Sequence, residues 1–239
     1  MSVFQFKQFN VLQARSSMKV GTDSVVLGCL CEVDTAKQVL DIGTGTGLLS
    51  LMVAQRNSNC TIDAVEINAD AATEAKQNIN NSKWNDRITL YNKSIQEYAV
   101  SKDAIYDLVI CNPPYFEVEK SYAIASQART NARQTQSLSF DELINCVQKL
   151  LTNEGSFWMI LPTQEAQLFL AKASDKLYLT KQILIYPKPN KVANRVVLQL
   201  KKSKGNTLHE TITLYTEQGL PDEAYKNLTR EFYTGNQFQ

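Results

Sequence analysis

The chain has 239 residues, 44% of them hydrophobic, with a formal net charge of +1. That is the length of a single domain with enough apolar content for a core, and the near-neutral balance excludes binding to nucleic acid through bulk basic charge. No apolar run approaches the ~20 residues needed to span a bilayer, the N-terminus lacks a signal-peptide apolar region, and five cysteines without framework spacing suggest reduced thiols in the cytoplasm.

In chain order, an N-terminal segment to about Gly21 is followed by a short helix over 22–30. At its end, Cys29-x-Cys31 lacks a second ligand pair, so no metal site is expected. A strand over 38–42 leads into a helix at about 47–56, and a strand over 61–66 into a helix at about 69–81. Strands are expected at 88–91 and 106–111, the second ending in Asn112-Pro113-Pro114-Tyr115. The polar stretch 116–137 lacks periodicity and reads as a lid or RNA-contacting loop. A helix near 139–151 carries Ser139 at its cap and Asp141 and Glu142 in its first turn. Then come a strand at 155–161, a helix at 164–174, and strands near 181–186 and 195–201. The short link between the last two, with Pro187 and Pro189, suggests an antiparallel pair at one edge. The tail adds a strand at 211–215 and a helix at 221–233. Alternating strands and helices point to a doubly wound, mostly parallel α/β sheet. We expect seven strands with an antiparallel last hairpin, and one domain over 1–239 with an N-terminal extension 1–37 and C-terminal additions at about 205–239. The sequence carries no signature of an oligomeric state.

Two loops carry chemistry. Residues 38–47 read Q-V-L-D-I-G-T-G-T-G: a strand, then glycines 43, 45 and 47, then a helix. Glycines here let the backbone turn sharply and approach a ligand. The spacing is G-x-G-x-G, not the G-x-G-x-x-G of dinucleotide binding. Asp41 precedes the first glycine by two residues. Its carboxylate would repel a pyrophosphate but not S-adenosylmethionine, which carries an ammonium, a sulfonium and a ribose diol. Glu66 ends the next strand, 23 residues after Gly43, where a carboxylate can accept both ribose hydroxyls. The second loop is Asn112 to Tyr115. Two successive prolines end the strand and fix two φ angles, at the sheet edge where ligands bind. The Asn112 amide oxygen and the Pro113 carbonyl can accept the two hydrogens of an NH2 group, with Tyr115 over its face.

These residues resemble the class I S-adenosylmethionine-dependent methyltransferases: D-I-G-T-G-T-G over 41–47, Val65-Glu66, and Asn112 to Tyr115. The opening F-Q-F-K-Q-F-N-V over 4–11, with M-K-V-G-T-D over 18–23, resembles the bacterial enzymes that methylate N6 of adenosine 37 in valine tRNA. D-A-V-E over 63–66 and A-Y-K-N-L-T-R-E-F-Y over 224–233 are similar to the same family. The resemblance runs over nearly the whole chain. It implies a Rossmann-like fold, S-adenosylmethionine as cofactor, tRNA as partner and no membrane. Asn112, Pro113, Pro114 and Tyr115 are the expected catalytic residues. Lys19, Thr22, Asp23, Asp41, Gly43, Gly45, Gly47, Glu66, Ser94 and Asn112 are the expected cofactor-binding residues. Ser94 is a departure, since such enzymes often place an acid there; a hydroxyl is a weaker acceptor.

Candidate RNA contacts are local: Lys188, Lys191 and Arg195 with Lys201, Lys202 and Lys204; Arg129 and Arg133; and Lys7, Arg15 and Lys19. Each alone reads as a solvated face; together they fall near the catalytic-edge loops. His209 is the single histidine, in a polar segment, so no strong base is expected. The rival readings are a protein-glutamine methyltransferase, which uses the same Asn-Pro-Pro-Tyr turn, a DNA N6-adenine methyltransferase, a non-catalytic S-adenosylmethionine-binding module, and an NAD-dependent oxidoreductase.

Overall fold

Strand β7 (Leu151–Pro162) shows how the molecule is layered. Phe157, Met159 and Leu161 enter one hydrophobic cluster, while Trp158 and Ile160 enter another. Successive side chains of a strand point to opposite faces, so both faces of the sheet are covered. Strand β6 (Tyr106–Cys111) alternates in the same way, with Leu108 and Ile110 on one side and Val109 and Cys111 on the other. Continuous apolar strands of this kind belong to parallel sheets buried between helices.

The computed structural model describes residues 2–16, 18–113 and 138–235. Pro114, Tyr115, the expected loop 116–137, and Arg129 and Arg133 lie outside the described residues. The remaining strands are β1 (Val3–Gln5), β2 (Asn10–Leu12), β3 (Gln38–Ile42), β4 (Thr61–Glu66), β5 (Ile88–Asn92), β8 (Tyr178–Tyr186), β9 (Arg195–Lys201) and β10 (Leu208–Thr213). The described helices are α1 (Thr22–Leu30), α2 (Leu48–Arg56), α3 (Ala69–Asn80), α4 (Ile95–Ala99), α5 (Phe140–Leu150), α6 (Thr163–Ala173) and α7 (Glu223–Thr229). Most expected elements fall within a few residues of these bounds.

The main sheet has the order β10-β8-β9-β7-β6-β3-β4-β5. Among the described residues it holds eight strands, correcting the expected seven. Of these only β9 runs against its neighbours, and β10 adds to the sheet by pairing parallel with β8. β1 and β2 form a separate antiparallel hairpin in the N-terminal segment, where no strand was expected. The five-residue α4 was also not anticipated; Ser94 and Glu97 form a capping box that starts it. Buried residues of α1, α2 and α7 and of the N-terminal segment join one core cluster, and those of α4, α5 and α6 join the other. Among the described residues, no helix is long and apolar enough to cross a membrane.

Candidate active site

The C-terminal ends of β3, β4, β5 and β6 share one edge, because these strands are parallel. Ligands bind at this edge in open α/β sheets. A cavity of about 670 Å³ opens there, lined among others by Gly43, Gly45, Glu66, Ser94, Asn112 and Pro113.

The β3–α2 loop is shaped by glycines 43, 45 and 47, with φ of 68°, 57° and 83°. This left-handed region is costly for residues with a Cβ. A Cβ on Gly43 would meet nothing within 4 Å, so its backbone is open to the cavity. Gly47 instead faces α3, where a Cβ would sit 3.7 Å from Ala75.

Asp41 is fully buried beneath this loop. On β3 the alternation turns it away from Leu40 and Ile42 and toward α2. Its Oδ2 accepts from Thr44 Oγ1 at 2.5 Å, Ser50 Oγ at 2.7 Å and Ser50 N at 3.1 Å. Burial pushes its pKa up to about 6; the Thr44 and Ser50 hydrogen bonds oppose that, and the Glu66 charge adds to it. Its Oδ1 is buried with no hydrogen-bond partner. Asp41 is thus an internal clasp of the loop and does not line the cavity.

Glu66 does line it. One carboxylate oxygen accepts from Gly45 N at 2.9 Å and the other from Asn68 N at 2.8 Å. Each oxygen keeps a further lone pair. Asn92 Nδ2 donates to the Glu66 carbonyl at 2.8 Å, holding the end of β4 against β5. Ser94 also lines the cavity, but its hydroxyl bonds Glu97 as part of the α4 cap.

At the end of β6, Asn112 is only 8% exposed. Its Nδ2 donates to Ser24 Oγ at 2.8 Å. Its Oδ1 is buried without a partner. An unmet buried acceptor costs about 1–3 kcal/mol, so this oxygen is a place where a ligand donor would be stabilising.

Not every expected cofactor residue lines this cavity. Lys19 is exposed and, like Thr22, Asp23, Asp41 and Gly47, does not line the cavity. Asp23 Oδ2 pairs with Arg195 Nε at 2.9 Å, which also engages a residue counted among the RNA contacts. The C-terminal basic cluster is divided by the topology. β9 begins with Arg195 at the cavity edge and ends with Lys201 at the opposite one. Lys188 and Lys191 therefore share the cavity edge, while Lys202 and Lys204 follow the far end of β9.

Sequence reasoning missed the residues that hold the N-terminal segment over the cavity. Ser16 and Met18 line it. Glu74 and Asn78 are buried on α3, one turn apart. Glu74 accepts from the backbone N–H groups of Ala14, Arg15 and Ser16 at 2.6, 3.0 and 2.8 Å. Asn78 bonds both backbone groups of Leu12 and donates to the Thr46 carbonyl. A signal existed: both fall on the apolar stripe of α3 beside Ala71, Ala75 and Ile79, where a polar residue needs a specific partner.

The methyltransferase small domain family model matches residues 13–178. A curated protein from Pectobacterium carotovorum subsp. carotovorum (strain PC1), named tRNA1(Val) (adenine(37)-N6)-methyltransferase, is 38% identical over 96% of this chain and 93% of its own length. One of the same name from Trichodesmium erythraeum (strain IMS101) is also 38% identical, over 96% of this chain and 97% of its own. Among solved structures, a predicted O-methyltransferase from Agrobacterium tumefaciens superposes with a TM-score of 0.71, covering 88% of this chain and 96% of that one at 18% identity. Pyrococcus horikoshii TYW2 in complex with MeSAdo superposes at 0.57, over 84% of this chain and 72% of that one at 17% identity. At such identities the likeness is one of fold. The two matches in sequence, spanning glycine loop, Glu66 and Asn112 alike, place the chain in the methyltransferase small domain family, with the bacterial tRNA1(Val) (adenine(37)-N6)-methyltransferases.

Proposed function

We propose that this chain transfers a methyl group from S-adenosylmethionine to N6 of adenosine 37 in valine tRNA. The observation that carries the reading is the unpartnered Asn112 Oδ1, buried at the edge of a cavity that Glu66 and the glycine loop also line. The relatives' names favour tRNA over a protein glutamine, which would present the same NH2 group.

The residues present fit the cofactor. Glu66 keeps acceptor capacity for a ribose diol, and Gly43 leaves its backbone open to a ligand. Bound S-adenosylmethionine supplies an electrophilic methyl group on sulfur. Asn112 Oδ1 and the Pro113 carbonyl accept the hydrogens of the target amine. Acceptance localises the nitrogen lone pair, otherwise spread into the adenine ring, and stabilises the positive charge that develops as the methyl arrives. The cavity supplies the rest by positioning the reactants. The surplus proton passes to solvent after transfer: the single histidine, His209, is exposed on edge strand β10 and bonded to Gln182. Flipping the base out costs a few kcal/mol, and in this reading stacking on Tyr115, worth roughly 1–3 kcal/mol, offsets part of that.

We further take the whole chain as one catalytic unit. Phe6, Phe9 and Val11 near the start and Tyr225, Phe232 and Tyr233 near the end share a core cluster with α1 and α2, which supports that reading. Incubating the enzyme with unmodified folded valine tRNA and labelled cofactor, then analysing nucleosides, should yield N6-methyladenosine. Labelling of a release-factor glutamine with every tRNA untouched would refute the substrate while leaving the fold and family in place.

Two variants test the parts. Glu66→Ala should weaken cofactor binding by ~1.5–3 kcal/mol, the range for hydrogen bonds to a charged group. The loss should fall toward the upper end, because Gly45 N and Asn68 N lose their acceptor too. Calorimetry giving unchanged affinity would remove Glu66 from the cofactor site. For RNA, changing Lys188 and Lys191 together to Ala should flatten the slope of log affinity against log salt by about 1.4–1.8, at 0.7–0.9 per lost contact. Arg195 is left out because it is paired with Asp23. A slope identical to the parent's would move the RNA away from the β8–β9 loop.

A further inference from the structure

Two consecutive residues in the first turn of α1 each reach a different part of the fold. Asp23 pairs with Arg195 at the start of β9, at 2.9 Å. Ser24 Oγ accepts from Asn112 Nδ2, at the end of β6, at 2.8 Å. The first contact holds this turn against the sheet edge, and the second acts on Asn112, which lines the cavity.

We propose that Ser24 is a positioning residue for methyl transfer, holding the Asn112 carboxamide by its Nδ2 so that Oδ1 is the end left for the target nitrogen. The proposal rests on the reading of Asn112 as the acceptor for an amine. A carboxamide has an acceptor at one end and two donors at the other. Its terminal torsion is broad and roughly two-fold, so rotation exchanges the ends at little steric cost. In one orientation Oδ1 faces the target amine and accepts from it. In the other, Nδ2 would set N–H against N–H, and the amine would lose its acceptor. With Nδ2 held by Ser24, the unpartnered atom is Oδ1, buried and 8% exposed as a residue. The amide is thus oriented before substrate enters, and no part of the barrier is spent on turning it.

The test combines kinetics with a signal that needs no turnover. Ser24→Ala should lower kcat on the order of tenfold, the worth of one neutral hydrogen bond, with cofactor affinity near that of the parent. Ser24→Thr, which keeps a hydroxyl, should recover most of the loss. In the Asn112→Ala background, Ser24→Ala should cause no further loss, because the two residues act as one unit. Equal losses in both backgrounds, or a fall in cofactor affinity matching the fall in kcat, would overturn the proposal. The side-chain amide of Asn112 can be followed by NMR, its signal identified by absence in Asn112→Ala. One of its two protons should exchange slowly with water in the parent and in Ser24→Thr, and quickly in Ser24→Ala. Equal exchange in all three would also overturn it. If the parent methylates no tRNA, the reading of the substrate fails, while the amide signal still decides the orienting role of Ser24.

Discussion

Replacing Asn112 with alanine is expected to lower kcat by about 10²–10³ while cofactor affinity stays at the parent value. The magnitude follows removal of one preorganised group aimed at developing transition-state charge, which typically costs that factor. The expectation of unchanged affinity follows from geometry. Asn112 bonds Ser24 and otherwise holds a buried, unpartnered oxygen beside the cavity, whereas the loop around Gly43 and Gly45 is held by Asp41 and Glu66. Removing the carboxamide leaves those contacts in place. Single-turnover rates and calorimetry on the same preparation separate the two quantities. A loss of affinity as large as the loss of rate would show that Asn112 shapes the cavity instead of serving the reaction.

Glu74→Ala should produce the largest loss of stability. The side chain is 2% exposed and accepts three backbone donors from residues 14–16. Each donor left unmet in a buried setting costs about 1–3 kcal/mol. Ala14 and Arg15 are exposed, so water can replace part of what they lose, and about 3 kcal/mol overall is the expected result. The damage should be local in its functional effect. Asn78 still holds Leu12, so the hairpin stays docked while residues 14–16 are released, Ser16 of the cavity lining among them. Chemical denaturation should show the lower stability, hydrogen exchange should show lost protection at 14–16, and cofactor affinity should fall. Stability within about 1 kcal/mol of the parent would mean that water replaces the carboxylate fully. Glu74→Gln, which keeps one acceptor oxygen, should fall between the two.

Much of this protein is a matter of local pattern. The strands β3, β4 and β6 and the helices α1 and α2 follow from apolar runs and their punctuation, and their bounds match expectation within a residue. The glycine loop and the Asn112-Pro113 turn are equally local, since they depend on φ angles that particular residues favour or forbid. Glu66 was legible because a strand-end carboxylate at that spacing from a glycine loop lands at the same sheet edge. Beyond such patterns, the chain says little about which distant segments meet. Strand β10 is exposed over most of its length, so its composition carried no sign that it would extend the sheet by pairing with β8. The basic residues from 188 to 204 look like one cluster, until the antiparallel run of β9 sends its two ends to opposite edges.

The same limit applies inside the site. That residues 41–47 make a close-approach loop, and that Asn112 ends a strand beside it, was determined by the sequence alone. That Asp41 clasps the loop from beneath, that Asp23 is taken by Arg195, 172 residues away, and that the Asn112 amide is held by Ser24, 88 residues away, was decided only by the tertiary structure. The reason is physical. Conformational preference is written into each residue and its neighbours, whereas the partner of a buried polar group is whichever complementary group the packed fold brings within about 3 Å of it.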